Sequence, residues 1–525
     1  MTNTMRKTTG MLAALLLLSG STIGAFAAAE PAPYLRGDIN RDGVVSVEDA
    51  QLALKAYTNL VAENPSGLNA VQFQAANVLQ DSVLDVIDAQ CILQYYVTNT
   101  VSQGSVSWDQ LTGRDQLTVP DTGEELVIRA VTVAYPEAMI KQFVKRHPEY
   151  EGKIRMDVLL PDGGGWTSDE FEAFLANAKD TDLFMIDNFY LFNFLNNDDF
   201  SIPVSKIGFQ ESDFANMYAY TLEAGTSLNG ELKALTNYAS PSGFAYRTDL
   251  AEQYLGVKTP AEMQKLIGTW EDFDKAAKTV HDKTNGAVAF CDKYGGMPFA
   301  GSSGLTEPWF NEDNEIVIPE QMKRLAERYM SYTKNGYCCE GRIFSTEDWY
   351  DDVKNGALFG FFVPSWALPE YDEELNLMEE LCGGKESSAY GKFNMVQGPA
   401  AYHWGGEYML VSPQCDNKTL AYEFLRETML DDDAMIAYAQ ETGNFINNSS
   451  AVKKLAASEE GYAALGGQKV LLLLDEIASA CHATKEYTPK DADMVTSFTE
   501  SVNSAILNDS SLDFFYQSFC ATHEL

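Results

Sequence analysis

The 525-residue sequence predicts a large α/β body carried behind a small all-α module. Two observations carry this reading. From Leu126 onward, short strand-like apolar runs alternate with helix-like runs, the signature of a parallel sheet with flanking helices. Ahead of that body, residues 36–98 contain one loop-helix unit written twice. A stretch rich in Gly, Ser, Thr and Asp, residues 99–125, separates the two and reads as a tether.

In the body, L-V-I-R-A-V-T at 126–132 reads as a strand and residues 136–147 as a helix. I-R-M-D-V-L-L at 154–160 is the next strand, a helix follows near 168–179, and L-F-M-I-D at 183–187 is the third strand. Ligands of such sheets bind beyond the carboxyl ends of the strands. Those ends hold Trp166, in P-D-G-G-G-W, and the pair Asp187-Asn188.

In the module, residues 38–49 read D-I-N-R-D-G-V-V-S-V-E-D. Oxygen-bearing side chains stand at loop positions 1, 3, 5, 9 and 12: Asp38, Asn40, Asp42, Ser46 and Asp49. Gly43 occupies the sharp turn at position 6, and position 7 offers the Val44 carbonyl. This is the spacing that wraps hard oxygen ligands around calcium, the one cofactor the sequence calls for. The unit repeats, with Asp49-Ala50-Gln51 returning as Asp88-Ala89-Gln90, each followed by apolar residues at helical spacing. The second loop departs from the pattern. Asn77, Asp81, Asp85 and Asp88 supply oxygens, but Leu79 stands at position 3 and cannot ligate.

The duplicated module resembles a type I dockerin, a family that folds around calcium and docks on cohesin modules of a scaffoldin. The resemblance implies partner contact at loop positions 10 and 11, here Val47-Glu48 and Val86-Ile87. These pairs differ, so two equivalent docking orientations are not expected, and the apolar second pair points to a hydrophobic patch at the contact.

Further segments of the body resemble bacterial extracellular solute-binding proteins of carbohydrate importers. N-Y-A-S-P-S-G-F-A-Y-R-T-D-L at 237–250 resembles that family's first interlobe crossing, and T-W-E-D-F-D-K-A-A-K at 269–278 the helix after it. N-G-A-L-F-G-F-F-V-P-S-W at 355–366 resembles the returning strand, and A-Y-H-W-G-G-E-Y-M-L-V-S-P at 401–413 the segment lining the cleft. N-K-T-L-A-Y-E-F-L-R at 417–426 and E-T-G-N-F-I-N-N at 441–448 resemble the elements that follow. The resemblance implies a periplasmic-binding-protein-like fold of two discontinuous lobes, each a parallel sheet with flanking helices. Lobe one would span about 126–236 and 365–431, and lobe two about 237–364 and 432–525. Residues 126–525 would thus form the solute-binding domain.

Sugars present apolar C–H faces and hydroxyl rims, so their sites pair aromatic platforms with carboxylates and amides. The platform candidates are Trp366, Trp404, Trp166 and Tyr238, the first two where the family places stacking tryptophans. Asp187, Asn188 and Glu407 are the polar candidates, whereas Trp270, Trp309 and Trp349 read as structural. The implied ligand is an oligosaccharide, and an ABC importer permease is its potential recipient.

Bulk properties limit the alternatives. The formal net charge is −39, which repels phosphate backbones and argues against nucleic-acid partners. Residues 1–29 read as a secretory signal peptide: Arg6 and Lys7, an apolar run at 11–18, then small residues 25–29. That run is too short for a membrane span, so a secreted protein held at the cell surface by its scaffold is expected. Eight cysteines lack the paired spacing of zinc sites, and five histidines lack metal-ligand spacing. Dockerins usually carry hydrolases, yet the chain has no GxSxG, HExxH or GxxxxGK[ST] motif and is read as non-catalytic. The competing readings are a dockerin-borne polysaccharide hydrolase and a scaffold-bound adhesin unconnected to transport.

Overall fold

The computed structural model describes residues 35–62, 64–80, 83–112, 120–130, 136–158, 180–293, 295–311, 315–344, 347–369, 376–488, 490–508 and 510–523. The segment 1–29, the 163–165 glycine run, the 168–179 helix, Trp166 and Asp81 lie outside the described residues.

The module is built on two helices, Val47–Val61 and Val86–Tyr96. Each starts for the same local reason. The N-cap side chain, Ser46 or Asp85, accepts a backbone N–H of the first turn, while Asp49 or Asp88 reaches back to the N-cap N–H. The internal repeat is therefore geometric as well as sequential. Position 4 of both loops, Arg41 and Gln80, is left-handed at φ 62° and 55°. A small core of Ile39, Ala53, Val78 and Ile92, all fully buried, joins the two units.

The stretch 99–125 contacts its neighbours on either side. Trp108–Thr112 is helical, and Trp108 stacks on Tyr95 with centroids 4.0 Å apart and an interplanar angle of 6°. Asp121 caps the helix Lys418–Leu430 by accepting the Lys418 N–H at 2.8 Å.

The first lobe holds a five-stranded sheet ordered β2-β1-β3-β9-β4. Its strands are β1 (Leu126–Ala130), β2 (Ile154–Val158), β3 (Leu183–Asp187), β4 (Ala234–Leu235) and β9 (Glu407–Val411). β1 pairs in parallel with β2 and β3, while β9 runs antiparallel to β3 and β4. The amphipathic helix Pro136–Arg146 covers this sheet, burying Met139 and Phe143, and Phe143 meets Phe424 edge-on at 5.3 Å.

The second sheet is made of β5 (Pro241–Arg247), β6 (Gly360–Pro364), β7 (Phe393–Val396) and β8 (Tyr402–His403). All its pairings are antiparallel, which corrects the expectation of a parallel sheet in each lobe. β5 and β6 are successive passages of the chain between lobes, so they run in opposite senses. Side chains alternate across a strand. Phe244, Tyr246 and Phe362 enter the core of the second lobe, whereas Ala245, Phe361 and Val363 enter the first. This sheet is a shared wall buried on both faces, and β6 accordingly reads as a near-continuous apolar run, G-F-F-V-P.

The second core gathers helices Trp270–Thr284, Glu320–Asn335, Asp491–Leu507 and Leu512–His523. Residues 432–480, expected in lobe two, pack with the first core instead. Met435, Tyr438, Leu474 and Ile477 turn apolar faces that way, and Gln142 and Lys141 reach Glu441 across the contact. All eight cysteines are free thiols, seven of them buried. No helix among the described residues is long and apolar enough to cross a membrane.

The module touches the first lobe. The Gln80 carbonyl accepts the Asp198 N–H at 2.8 Å, and Gln80 and Asp198 are both buried. Asp198 forms an ion pair with Lys233 at 2.5 Å, with side-chain exposures of 4% and 1%. Removing one member of such a pair weakens the compensation of its mate's charge in low dielectric. Asp198→Ala is expected to lower urea-denaturation stability by about 3–5 kcal/mol, and the double change Asp198→Leu, Lys233→Met by much less.

Candidate functional site

Four aromatic side chains from distant segments meet where the two cores adjoin. Trp366 follows β6, Trp404 lies in the turn between β8 and β9, Phe299 lies in the helix Gly296–Ser302, and Phe344 precedes the helix Glu347–Asn355. Trp404 is stacked on Phe299, with centroids 4.7 Å apart and planes 21° apart, and meets Trp366 edge-on at 5.8 Å and 80°. Phe344 lies 5.4 Å from Trp366. All four are partly exposed, and Trp404 packs against both cores. The Trp366 indole Nε1–H donates to the Trp404 carbonyl at 2.9 Å, which fixes the angle between the two rings.

Backbone shape completes the arrangement. Gly405 and Gly406 have φ values of 87° and 146°, a turn that side-chain-bearing residues rarely adopt. A Cβ on Gly405 would lie 3.6 Å from the Trp366 Nε1. Phe344 is left-handed at φ 66°, a strained state for a bulky residue that marks functional positions.

The turn leads directly to the polar candidates. Asn188 donates its N–H to the Gly406 carbonyl at 2.9 Å, and Asp187 pairs in register with Glu407 across β3 and β9. Asp187, Asn188 and Glu407 thus sit together at the carboxyl end of β3, each partly exposed. The arrangement offers apolar ring faces beside carboxylate and amide groups, suited to a neutral polyhydroxylated ligand.

Trp366 and Trp404 come together, as do Asp187, Asn188 and Glu407. Tyr238 is 7% exposed, bridges Ile446 and belongs to the interior rather than to the aromatic group. Phe299 and Phe344 were missed by sequence reading. The glycines ahead of Phe299 signal a close approach, since a Cβ on Gly296 would lie 3.2 Å from Trp404.

In the module, the first loop adopts turns suited to a hard cation. Asp38 Oδ2 accepts the Gly43 N–H at 2.8 Å, Asn40 Oδ1 accepts that of Asp42 at 3.0 Å, and Asp42 Oδ1 accepts that of Val44 at 2.9 Å. Gly43 is left-handed at φ 88°. The donor set fits calcium chemistry. Asp49, however, is fully buried and turned to protein donors. Its Oδ1 accepts from Ile39 and Asn40, and its Oδ2 from the Ser46 N–H and hydroxyl. Those contacts fill the lone pairs a metal would need from it. Among the described residues no group of three or more His, Cys, Asp and Glu forms a metal site. In the second loop, Asp88 accepts the Leu79 and Asp85 N–H groups, each at 2.9 Å. Val47, Glu48 and Ile87 are exposed and Val86 is half-buried.

Two lobes about a shared sheet, with polar and aromatic side chains where they adjoin, define a periplasmic-binding-protein-like fold. The chain belongs to the bacterial extracellular solute-binding proteins, whose family profile matches residues 167–464. A solved extracellular solute-binding protein of family 1 is 17% identical, with a TM-score of 0.61 over 75% of this chain and 97% of its own. The sugar-binding protein MalE of Xanthomonas citri is 12% identical, with a TM-score of 0.58 over 76% and 96%. The galacto-N-biose/lacto-N-biose I-binding protein of a Bifidobacterium longum ABC transporter, solved with lacto-N-biose, is 15% identical, with a TM-score of 0.54 over 77% and 97%. At these identities the likeness establishes the fold. No curated protein matches the sequence.

Proposed function

We propose that this protein captures an oligosaccharide between its lobes, outside the cell and without transforming it, and passes it to an ABC importer. The observation that carries the proposal is the edge-on pair Trp366 and Trp404, seated beside Asp187, Asn188 and Glu407. The rings offer stacking surface and the polar group offers hydrogen bonds to hydroxyls. The structural relatives described as maltose, galactobiose and lacto-N-biose binders support the same ligand class.

The module, in this reading, is a dockerin that takes calcium in its first loop through Asp38, Asn40, Asp42, the Val44 carbonyl, Ser46 and Asp49. Ligation requires the Asp49 carboxylate to exchange backbone donors for the ion. The second loop, with Leu79 at a ligand position, is the weak or empty one. The partner is a cohesin module of a scaffoldin, met through Val47, Glu48, Val86 and Ile87. Surface composition supports docking by the module. Of fifteen exposed large hydrophobic residues among those described, eleven lie between Leu35 and Val101. Exposed apolar surface concentrated in this way marks an interaction face.

Tryptophan fluorescence titrations with maltotriose, lacto-N-biose, β-1,6-galactobiose and cellotriose test the capture reading. A saturable shift with at least one glycan, and no change in the glycan on prolonged incubation, is the expected result. Turnover of any of them would instead support the hydrolase.

A further inference from the structure

Behind the aromatic group lies a carboxylate that the site does not use directly. Asp292 is fully buried in the second lobe. Its Oδ1 accepts the Phe362 N–H at 2.9 Å and its Oδ2 the Gly295 N–H at 3.0 Å. Phe362 belongs to β6, four residues before Trp366, and Gly295 opens the helix that carries Phe299. The packing there is tight. A Cβ on Gly295 would come within 2.4 Å of Ile343, next to Phe344, and one on Gly296 within 2.4 Å of Phe362. One carboxylate therefore ties together the segments that deliver Trp366 and Phe299; the Phe344 segment packs on them through Ile343, and Trp404 stacks on this frame.

We infer that Asp292 is the positioning residue of the aromatic site, its ionised carboxylate gathering backbone N–H groups from two segments so that the rings hold their binding geometry. It touches no ligand. Ionised, both oxygens accept; protonated, one becomes a donor facing N–H groups, and the hold on one segment slackens.

Burial pushes the Asp292 carboxyl up to about 6, opposed by its backbone hydrogen bonds. The titratable side chains that feel its charge are Cys291, Cys338, Cys339 and Tyr402, all raised by burial and protonated near neutrality. Next along the chain, Lys293 pairs with Glu340 at 2.9 Å. A carboxyl raised in the fold takes up a proton the unfolded chain does not, so lowering pH from 7 to 5 relieves a buried charge and does not lower fold stability through this group. Weaker binding at pH 5 is then separable from unfolding.

The inference rests on the oligosaccharide reading of the site, and its test has two arms. In the ligand-free full-length protein, the near-UV circular dichroism of the tryptophans is expected to step with a midpoint near pH 6. The midpoint of thermal unfolding should not fall between pH 7 and pH 5. Titration with the four glycans named above is expected to weaken about tenfold over the same range, reflecting the loss of charge-assisted hydrogen bonds. Asp292→Asn should bind at the weak level at every pH. Flat dichroism and flat affinity in the wild type would overturn the inference, and so would a folded Asp292→Asn protein that binds like wild type at pH 7. Should that variant fail to fold, the wild-type series decides alone. Absence of glycan binding at every pH, with the dichroism step intact, would sink the oligosaccharide reading and leave the positioning role standing.

Discussion

Trp404→Ala is expected to weaken glycan binding at least 30-fold, a loss of about 2–4 kcal/mol of the kind seen when a central aromatic anchor is truncated. Trp404 stacks on Phe299, meets Trp366 edge-on and offers its carbonyl to the Trp366 indole. Truncation removes the ring while leaving that carbonyl in the backbone. The measurement is isothermal titration calorimetry with the tightest glycan, beside a thermal melt. Trp404 is only partly buried against the two cores, so the melt should move by a few degrees while affinity collapses. Trp349→Ala provides the contrast. Trp349 is fully buried and its ring packs edge-on against Phe361, so its truncation should lower stability by about 3–5 kcal/mol. Wild-type affinity in Trp404→Ala would remove the aromatic platform from the account.

Calcium should raise the unfolding midpoint of the module by about 10–20 °C in the full-length protein. An ion a hundredfold above its dissociation constant adds about 2.7 kcal/mol. For a domain of this size each kcal/mol shifts the midpoint by about 4–8 °C. Differential scanning calorimetry in excess calcium and in excess chelator reads the shift. Asp38→Ala should abolish it, because Asp38 stands at the first position of the proposed calcium loop and organises the turn through Asp42 and Gly43. Asp85→Ala, in the loop where Leu79 replaces a ligand, should leave the calcium response intact. Chelation is also expected to release the protein from a cohesin-bearing surface. Superimposable melts with and without calcium would remove the ion from the module's folding.

Much of the architecture is legible in the sequence because it follows from local pattern. The alternation from Leu126 marks β1, β2 and β3, and the Asp-Ala-Gln repeat marks both module helices. The antiparallel second sheet is not legible, because strand direction there depends on how the chain passes between lobes, which apolar runs do not encode. Helix Asp432–Thr442 has only a weak amphipathic pattern, and nothing in that pattern says that it packs against Pro136–Arg146. The aromatic group was half visible. Trp366 and Trp404 sit in segments whose resemblance is recognisable, whereas Phe344 depends on a left-handed backbone that sequence does not announce. Tyr238 shows the opposite error, since an aromatic beside a crossing strand looks the same whether it faces a ligand or the interior. For Asp49, ligand spacing is readable, yet the competing N–H donors that occupy its oxygens appear only in three dimensions.

The hydrogen bond between the Gln80 carbonyl and the Asp198 N–H bears on how such a receptor works when held by one end. The module abuts the first lobe, beside the buried Lys233, so a partner that held the module would hold that lobe with it. On the proposed reading, hinge closure would swing the second lobe, with Phe299, toward the wall formed by Asp187, Asn188 and Glu407. The mouth would then keep a constant bearing relative to its mounting as ligand came and went.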